Sequence, residues 1–251
     1  MNLFLSQIWQ VFKKNRSAVL GLAILLALLA LIPLTPLIAT RNPHEITSNT
    51  LVSPNSEYPF GTDNLGRDML SRTLYGIRVS LLVGFLGAMI SMGVGILVGG
   101  IGGYFGGAVD NLLQRITEVF QIIPSFFLAV MVVAFFGANL WMIIAVAGML
   151  LWPTSARLAR AEFMRIRQLE YVQAARTLGV GNTEIIFGEI LINAINPVLV
   201  NTVIRMCSAI LLETGLSFLG LGDPRVISWG LLLSTGRLYL RTGWWIVVFP
   251  A

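Results

Sequence analysis

The sequence predicts an all-α protein, a polytopic bundle of transmembrane helices with five complete spans and the start of a sixth. Three observations carry that prediction. Apolar residues make up 56% of the 251 and charged ones only 12%, too little polar material to cover a soluble body of this size. Uncharged apolar runs of about 20 residues, the length that crosses a bilayer core, recur along the chain. Arginine and lysine gather beside those runs rather than along one basic face, so the net charge of +5 reads as membrane topology and not as a nucleic-acid footprint.

Taken in order, residues 1–17 place Leu5, Ile8, Trp9 and Phe12 on one helical face before Lys13, Lys14 and Arg16, the pattern of an interfacial helix. Residues 18–39 then run for 22 positions without a charge, too long for a signal-peptide core and with no small-x-small cleavage site after them. They form the first span, with the amino terminus in the cytoplasm. Residues 40–78 read as an extracytoplasmic loop, with Pro43, Pro54 and Pro59 and a turn-rich GTDNLGRD in which Asp63, Arg67 and Asp68 can pair locally. The core begins at 79 and is taken as one unit to 251. Its first span, to about Gly103, carries Gly95, Gly99 and Gly103 four apart, a spacing that lets helix backbones approach closely in lipid.

An inner turn over Asp110–Arg115 is expected next, followed by a third span over Ile116–Phe136 that Pro124 should kink. Gly137–Asn139 forms a tight outer turn. A fourth span starts at Leu140, passes Pro153 and continues as helix through Arg157–Arg167 into a cytoplasmic loop at about 157–189. Arg157, Arg160, Arg165, Arg167 and Arg176 place this loop on the cytoplasmic side. Within it, Tyr171, Ala174, Ala175 and Leu178 recur at i, i+3, i+4 and i+7, one apolar helical face with two small residues that another protein surface could approach. Gly179 can supply the left-handed stop, and Asn182 can cap a second helix that carries Glu184 in its first turn.

The fifth span, from about Glu189 to Leu212, bears Asn193, Asn196, Asn201 and Arg205, with Glu213 near its end. An arginine at such depth costs at least ~2.5 kcal/mol, so it should face protein or water. Arg205 and Glu213 are eight residues apart, about 12 Å along a helix, too far to pair directly. Each needs a partner from elsewhere, either along a hydrated path or on a neighbouring subunit. LSFLGLGDPRVISWG (216–230) is an outer loop, Trp244 and Trp245 are interfacial aromatics, and residues 246–251 begin a sixth apolar run. A full crossing needs ~15 residues more, so the natural sequence is expected to continue.

The run QAARTLG with the EIL that follows resembles the "EAA" loop of permease subunits of ABC importers. PFGTDNLGRDMLSRTLYGIRVSLLVG (59–84) and LSFLGLG (216–222) resemble the dipeptide, oligopeptide and nickel branch of that family. Gln173 stands where the family usually has Glu, and Ile192 where proline is common. The resemblance implies a type I permease, half of a translocation pathway for peptides or a related solute such as a nickel chelate. It also implies that Glu170, Tyr171, Gln173, Ala174, Ala175, Arg176, Leu178 and Gly179 couple the chain to a separate ATPase, with Glu170 and Arg176 making polar contacts at the rim. The implied partners are a homologous permease subunit, ATP-binding subunits, an extracytoplasmic solute-binding protein and membrane lipid, with no nucleic acid.

The residues point away from other classes. A phosphate loop needs Gly-Lys-Ser/Thr, and the only lysines are Lys13 and Lys14, so no cofactor or nucleotide is expected in this chain. Neither GxSxG nor HExxH is present, and Cys207, the single cysteine, reads as a small buried packing residue. His44, the single histidine, reads as a solvated loop residue rather than a metal ligand. A stand-alone secondary transporter or channel would need intramembrane acids or an inverted repeat, and few such acids and no convincing repeat are found.

Overall fold

The computed structural model describes residues 15–251. The interfacial helix expected over residues 1–17 falls almost wholly outside them. Among the described residues the only strand-like pairing is an isolated bridge between Thr62 and Asp68, and everything else regular is helical.

Helix α1 (Arg16–Ile38) starts at Asn15, whose side chain accepts from the Ala18 amide at 3.3 Å. It is apolar all round and packs chiefly along α2 (Met69–Phe105), so Leu20, Leu26 and Leu37 stand exposed. Such a helix suits lipid. Helix α2 makes its most extensive contact with α5 (Leu140–Arg167). The glycine spacing explains it. A Cβ on Gly95 would lie 2.5 Å from Cβ of Ser155, and one on Gly99 would overlap the Ala156 carbonyl. The two backbones therefore touch as the small-residue pattern predicts. Helix α7 (Asn182–Phe218), with one π-helical stretch at Ile185–Ile190, closes a three-helix core against both. Ser155 ties the three together, 3.2 Å from Ser91 Oγ on α2 and accepting from Asn201 Nδ2 on α7 at 3.0 Å.

Several expected boundaries move. The loop expected to reach 78 ends at Asp68, because Asp68 caps α2 by accepting from the Ser71 amide at 2.8 Å. Residues 69–78, with Arg72 and Arg78, are thus the first turns of that helix. The turn expected over Asp110–Arg115 lies instead at Gly106 and Gly107, whose φ values are +69° and +56°, and Asp110–Arg115 is already inside α3 (Gly107–Ile122). The third span is not one kinked helix. Proline forces the residue before it out of the helical region, and Ile123 adopts ψ 125°, so α3 stops and α4 (Ser125–Phe136) leaves at 80° to it. Among the described residues four helices are long and apolar enough to cross a membrane, and a fifth only if α3 and α4 count together.

Two layers cap the ends. At one end α2, α5, α6 (Glu170–Thr177) and the start of α7 share a cluster of buried side chains. At the other, the turn GTDNLGRD is built around Asp63, which accepts from the Leu65 and Arg67 amides and pairs with Arg67 Nε at 2.7 Å. The segment after α7 folds over that turn. Leu216–Phe218 are still helical, and the loop begins at Leu219 and Gly220. Short helices α8 (Trp229–Gly236) and α9 (Trp245–Val248) then bury Leu232, Trp245 and Ile246 against Met69. Trp245 Nε1 donates to the Thr62 carbonyl at 3.0 Å and Phe249 stacks on Phe60 at 3.9 Å. The start of the expected sixth span is therefore part of this cap. Cys207 is exposed on α7, not a buried packing residue.

Candidate functional site

The candidate site is the helical hairpin between α5 and α7. Helix α6 is only eight residues long, too short to persist alone, so its position depends on tertiary contacts. Val172 supplies the main one. It is fully buried among Tyr104, Phe163, Ile166, Ile185 and Ile190, with half-buried Ala175 beside it. Gly179 has φ +82°, and the chain leaves α6 by the expected stop: Val180 N–H donates to the Ala175 carbonyl at 3.1 Å and Gly179 N–H to that of Arg176 at 3.0 Å.

The predicted face divides accordingly. Ala174 and Leu178 point away from the bundle, Leu178 at 83% exposure; Tyr171 is exposed, but its hydroxyl accepts from Asn193 Nδ2 on α7 at 3.3 Å, and Ala175 turns inward. Glu170 is exposed in the first turn, where its charge suits the helix N-terminus. Gln173 donates from Nε2 to the Arg167 carbonyl at 2.8 Å, bracing α6 against the end of α5. Arg176 is not a free rim contact, for its guanidinium lies over the Tyr104 ring at 5.0 Å. Asn182 does not cap α7. The cap is Gly181, and the Asn182 side chain accepts from the Tyr104 hydroxyl at 2.6 Å.

Tyr104 is thus the node that sequence reasoning missed. From the end of α2 it meets Arg176 with its ring, Asn182 with its hydroxyl, and Arg167 Nη1 with its carbonyl at 2.6 Å. The available signal was a single tyrosine closing a glycine-rich span. Most of the arginine cluster is likewise committed inside the chain: Arg160 forks onto Asp110 at 2.5 Å and Arg165 pairs with Glu162 at 2.7 Å. Helices α2, α3 and α5 are therefore linked by charge-assisted bonds at this end, and α6 joins α2 through the Arg176–Tyr104 cation–π contact.

Arg205 and Glu213 are not brought together. Glu213 is buried at the far end of α7, where Oε1 accepts from Ser217 Oγ at 2.8 Å and Ser228 Oγ at 2.6 Å. Ser228 is also the N-cap of α8, so Glu213 holds that short-helix cap to α7. Arg205 lines a cavity of about 400 Å³ under the α3–α4 break, shared with Gln121, Ser125, Thr154 and Arg157.

A family model described as "Binding-protein-dependent transport system inner membrane component" matches residues 92–249, which takes in α3 to α9 and the hairpin. The chain belongs to that family. A second model, "N-terminal TM domain of oligopeptide transport permease C", matches residues 4–57 of this permease. It is 35% identical over 249 residues to the "Dipeptide transport system permease protein DppC" of Bacillus subtilis, covering 97% of this chain and 77% of that one. The "Oligopeptide transport system permease protein OppC" of Haemophilus influenzae is 36% identical over 244 residues, 96% and 78% of the two chains. The "Di/tripeptide transport system permease protein DppC" of Pseudomonas aeruginosa is 34% identical over 254 residues, 98% and 84%. This permease is therefore a multi-pass membrane component of an ABC transporter, a part that is not itself catalytic.

Proposed function

We propose that this chain is the transmembrane subunit of an ATP-driven importer and forms half of the pathway for a peptide or a chemically related solute such as a nickel chelate. A homologous permease subunit supplies the other half, an extracytoplasmic solute-binding protein delivers the solute, and separate ATP-binding subunits hydrolyse ATP. The amino terminus and α6 face the cytoplasm. One observation carries the reading: α6 is anchored by a buried side chain, yet presents Ala174 and Leu178 outward. An exposed Leu178 that makes no use of its own chain suits a groove on another protein. Because α6 is bolted to the ends of α2, α5 and α7, a push on it reaches three long helices as a rigid-body movement.

The test is co-purification of the full transporter after Leu178→Glu and Gly179→Val. A Cβ on Gly179 meets nothing within 4 Å, so Gly179→Val acts only through the left-handed backbone, at about 1–2 kcal/mol. Both variants should insert normally and lose the ATP-binding subunits along with uptake. Wild-type association in both would remove α6 as the coupling element, and labelling of Leu178→Cys from outside intact cells would reverse the orientation.

A further inference from the structure

The cavity under the α3–α4 break is cationic and unpaired. Its polar lining comes from four helices: Gln121 on α3, Ser125 on α4, Thr154 and Arg157 on α5 and Arg205 on α7. Arg157 donates to Gln121 Oε1, which fixes its guanidinium at the cavity wall. Arg205 Nε is buried and has no hydrogen-bond partner among the described residues. Among the described residues no carboxylate lines the cavity, and Asp110, Glu118 and Glu162 are paired elsewhere, with Arg160, Arg115 and Arg165. Ser125, the first residue of the twelve-residue helix α4, opens onto the same space with no side-chain cap ahead of it. Two guanidiniums and an uncapped helix N-terminus thus converge on one volume, each favouring an anion. Arg205 is half-buried, and a guanidinium at this depth in a membrane helix with its Nε unmatched is costly.

We propose that this cavity receives a carboxylate of the transported solute, with Arg205 and Arg157 as its ligands. The inference rests on the permease reading. About 400 Å³ bounded by three helices and the chain break fits a small solute. A planar carboxylate matches the guanidinium fork. The same charge chemistry is offered by a lipid phosphate or by an acidic side chain of a neighbouring subunit, and the test separates the three.

The complete transporter is reconstituted in vesicles with its solute-binding protein saturated, as checked by titration, with tri-alanine or with tri-alanine amide. Wild type should import the acid at least about tenfold faster than the amide, the loss expected for one charge-assisted hydrogen bond. Arg205→Gln and Arg157→Gln should bring the acid down to the amide's rate and leave the amide unchanged, with Arg205→Lys in between. A second measurement, without the binding protein, avoids that partner's selectivity: tri-alanine but not its amide should protect Ser125→Cys from thiol labelling in a Cys207→Ser background. Equal loss for both peptides, or absence of protection by the acid, overturns the proposal. So does a defect confined to vesicles containing phosphatidylglycerol, which assigns the site to lipid, and so does failure of Arg205→Gln to assemble, which assigns it to a subunit contact. Unaltered uptake by both variants sinks this inference alone, whereas a wild-type complex that imports neither peptide sinks the permease reading with it.

Discussion

Replacing Val172 by Ala tests whether the hairpin is rigid because one side chain is buried. Val172 is fully buried against five larger neighbours, and the substitution removes two methyl groups from that contact. At ~0.8 kcal/mol per buried carbon the loss is about 1.6 kcal/mol, before any added cost of the cavity. Helix α6 has eight residues and no side-chain cap at its start, so little else offsets that loss. Local opening of α6 should therefore rise about 15-fold, since each 1.4 kcal/mol is a factor of ten. The assay is amide hydrogen exchange of residues 173–178 in the solubilised protein, with Leu178→Ala as the control because that side chain is exposed and unsupported. Exchange unchanged by Val172→Ala, or raised equally by the control, would show that α6 is not held by this cluster. The rigid-body route from α6 to the long helices would then have no basis.

Gly99→Leu should prevent the α2–α5 contact, since even a Cβ there overlaps the Ala156 backbone; protein that reaches the membrane but is rapidly degraded is expected, and wild-type yield and melting temperature would contradict it. Ser228→Ala removes both the cap of α8 and a donor to buried Glu213, a cost of about 1–2 kcal/mol that should appear as a lowered melting temperature and faster proteolysis within 219–251. Asp223, in the loop after α7, accepts from the Leu140 amide and from Arg225, and the Arg225 bonds hold its carboxyl down at about 2. A depressed acid stabilises the fold above its ordinary value near 3.8 and loses that contribution as the pH falls towards 2. Asp223→Asn should therefore lower the melting temperature at pH 6 and flatten its fall between pH 4 and 2; an unchanged profile would deny the turn any role in seating α5.

Much of this fold was legible because its signals are local. The left-handed stop at Gly179 shows as a glycine closing a short helical pattern, and the α2–α5 contact shows as glycines four apart. The failures were local rules met by a stronger neighbour. Arg72 and Arg78 looked like loop, but Asp68 starts the helix before them. Pro124 looked like a kink, but with Ile123 extended it ends one helix and starts another. Asn182 had the chemistry of a cap and was claimed by the Tyr104 hydroxyl from a different helix.

At the candidate site the sequence determined composition and face: which residues are small, which are apolar, and that they repeat with a helical period. It could not decide which part of that face turns inward, because periodicity reports an angle around an axis and not what lies beyond it. Only the folding of α2, α5 and α7 together set Val172 and Ala175 against Tyr104 and left Leu178 outside. The same holds for Arg205: its depth in an apolar helix was plain from the chain. That its nearest charged neighbour in the cavity is another arginine, and not a carboxylate, depends on how three helices and a broken fourth meet.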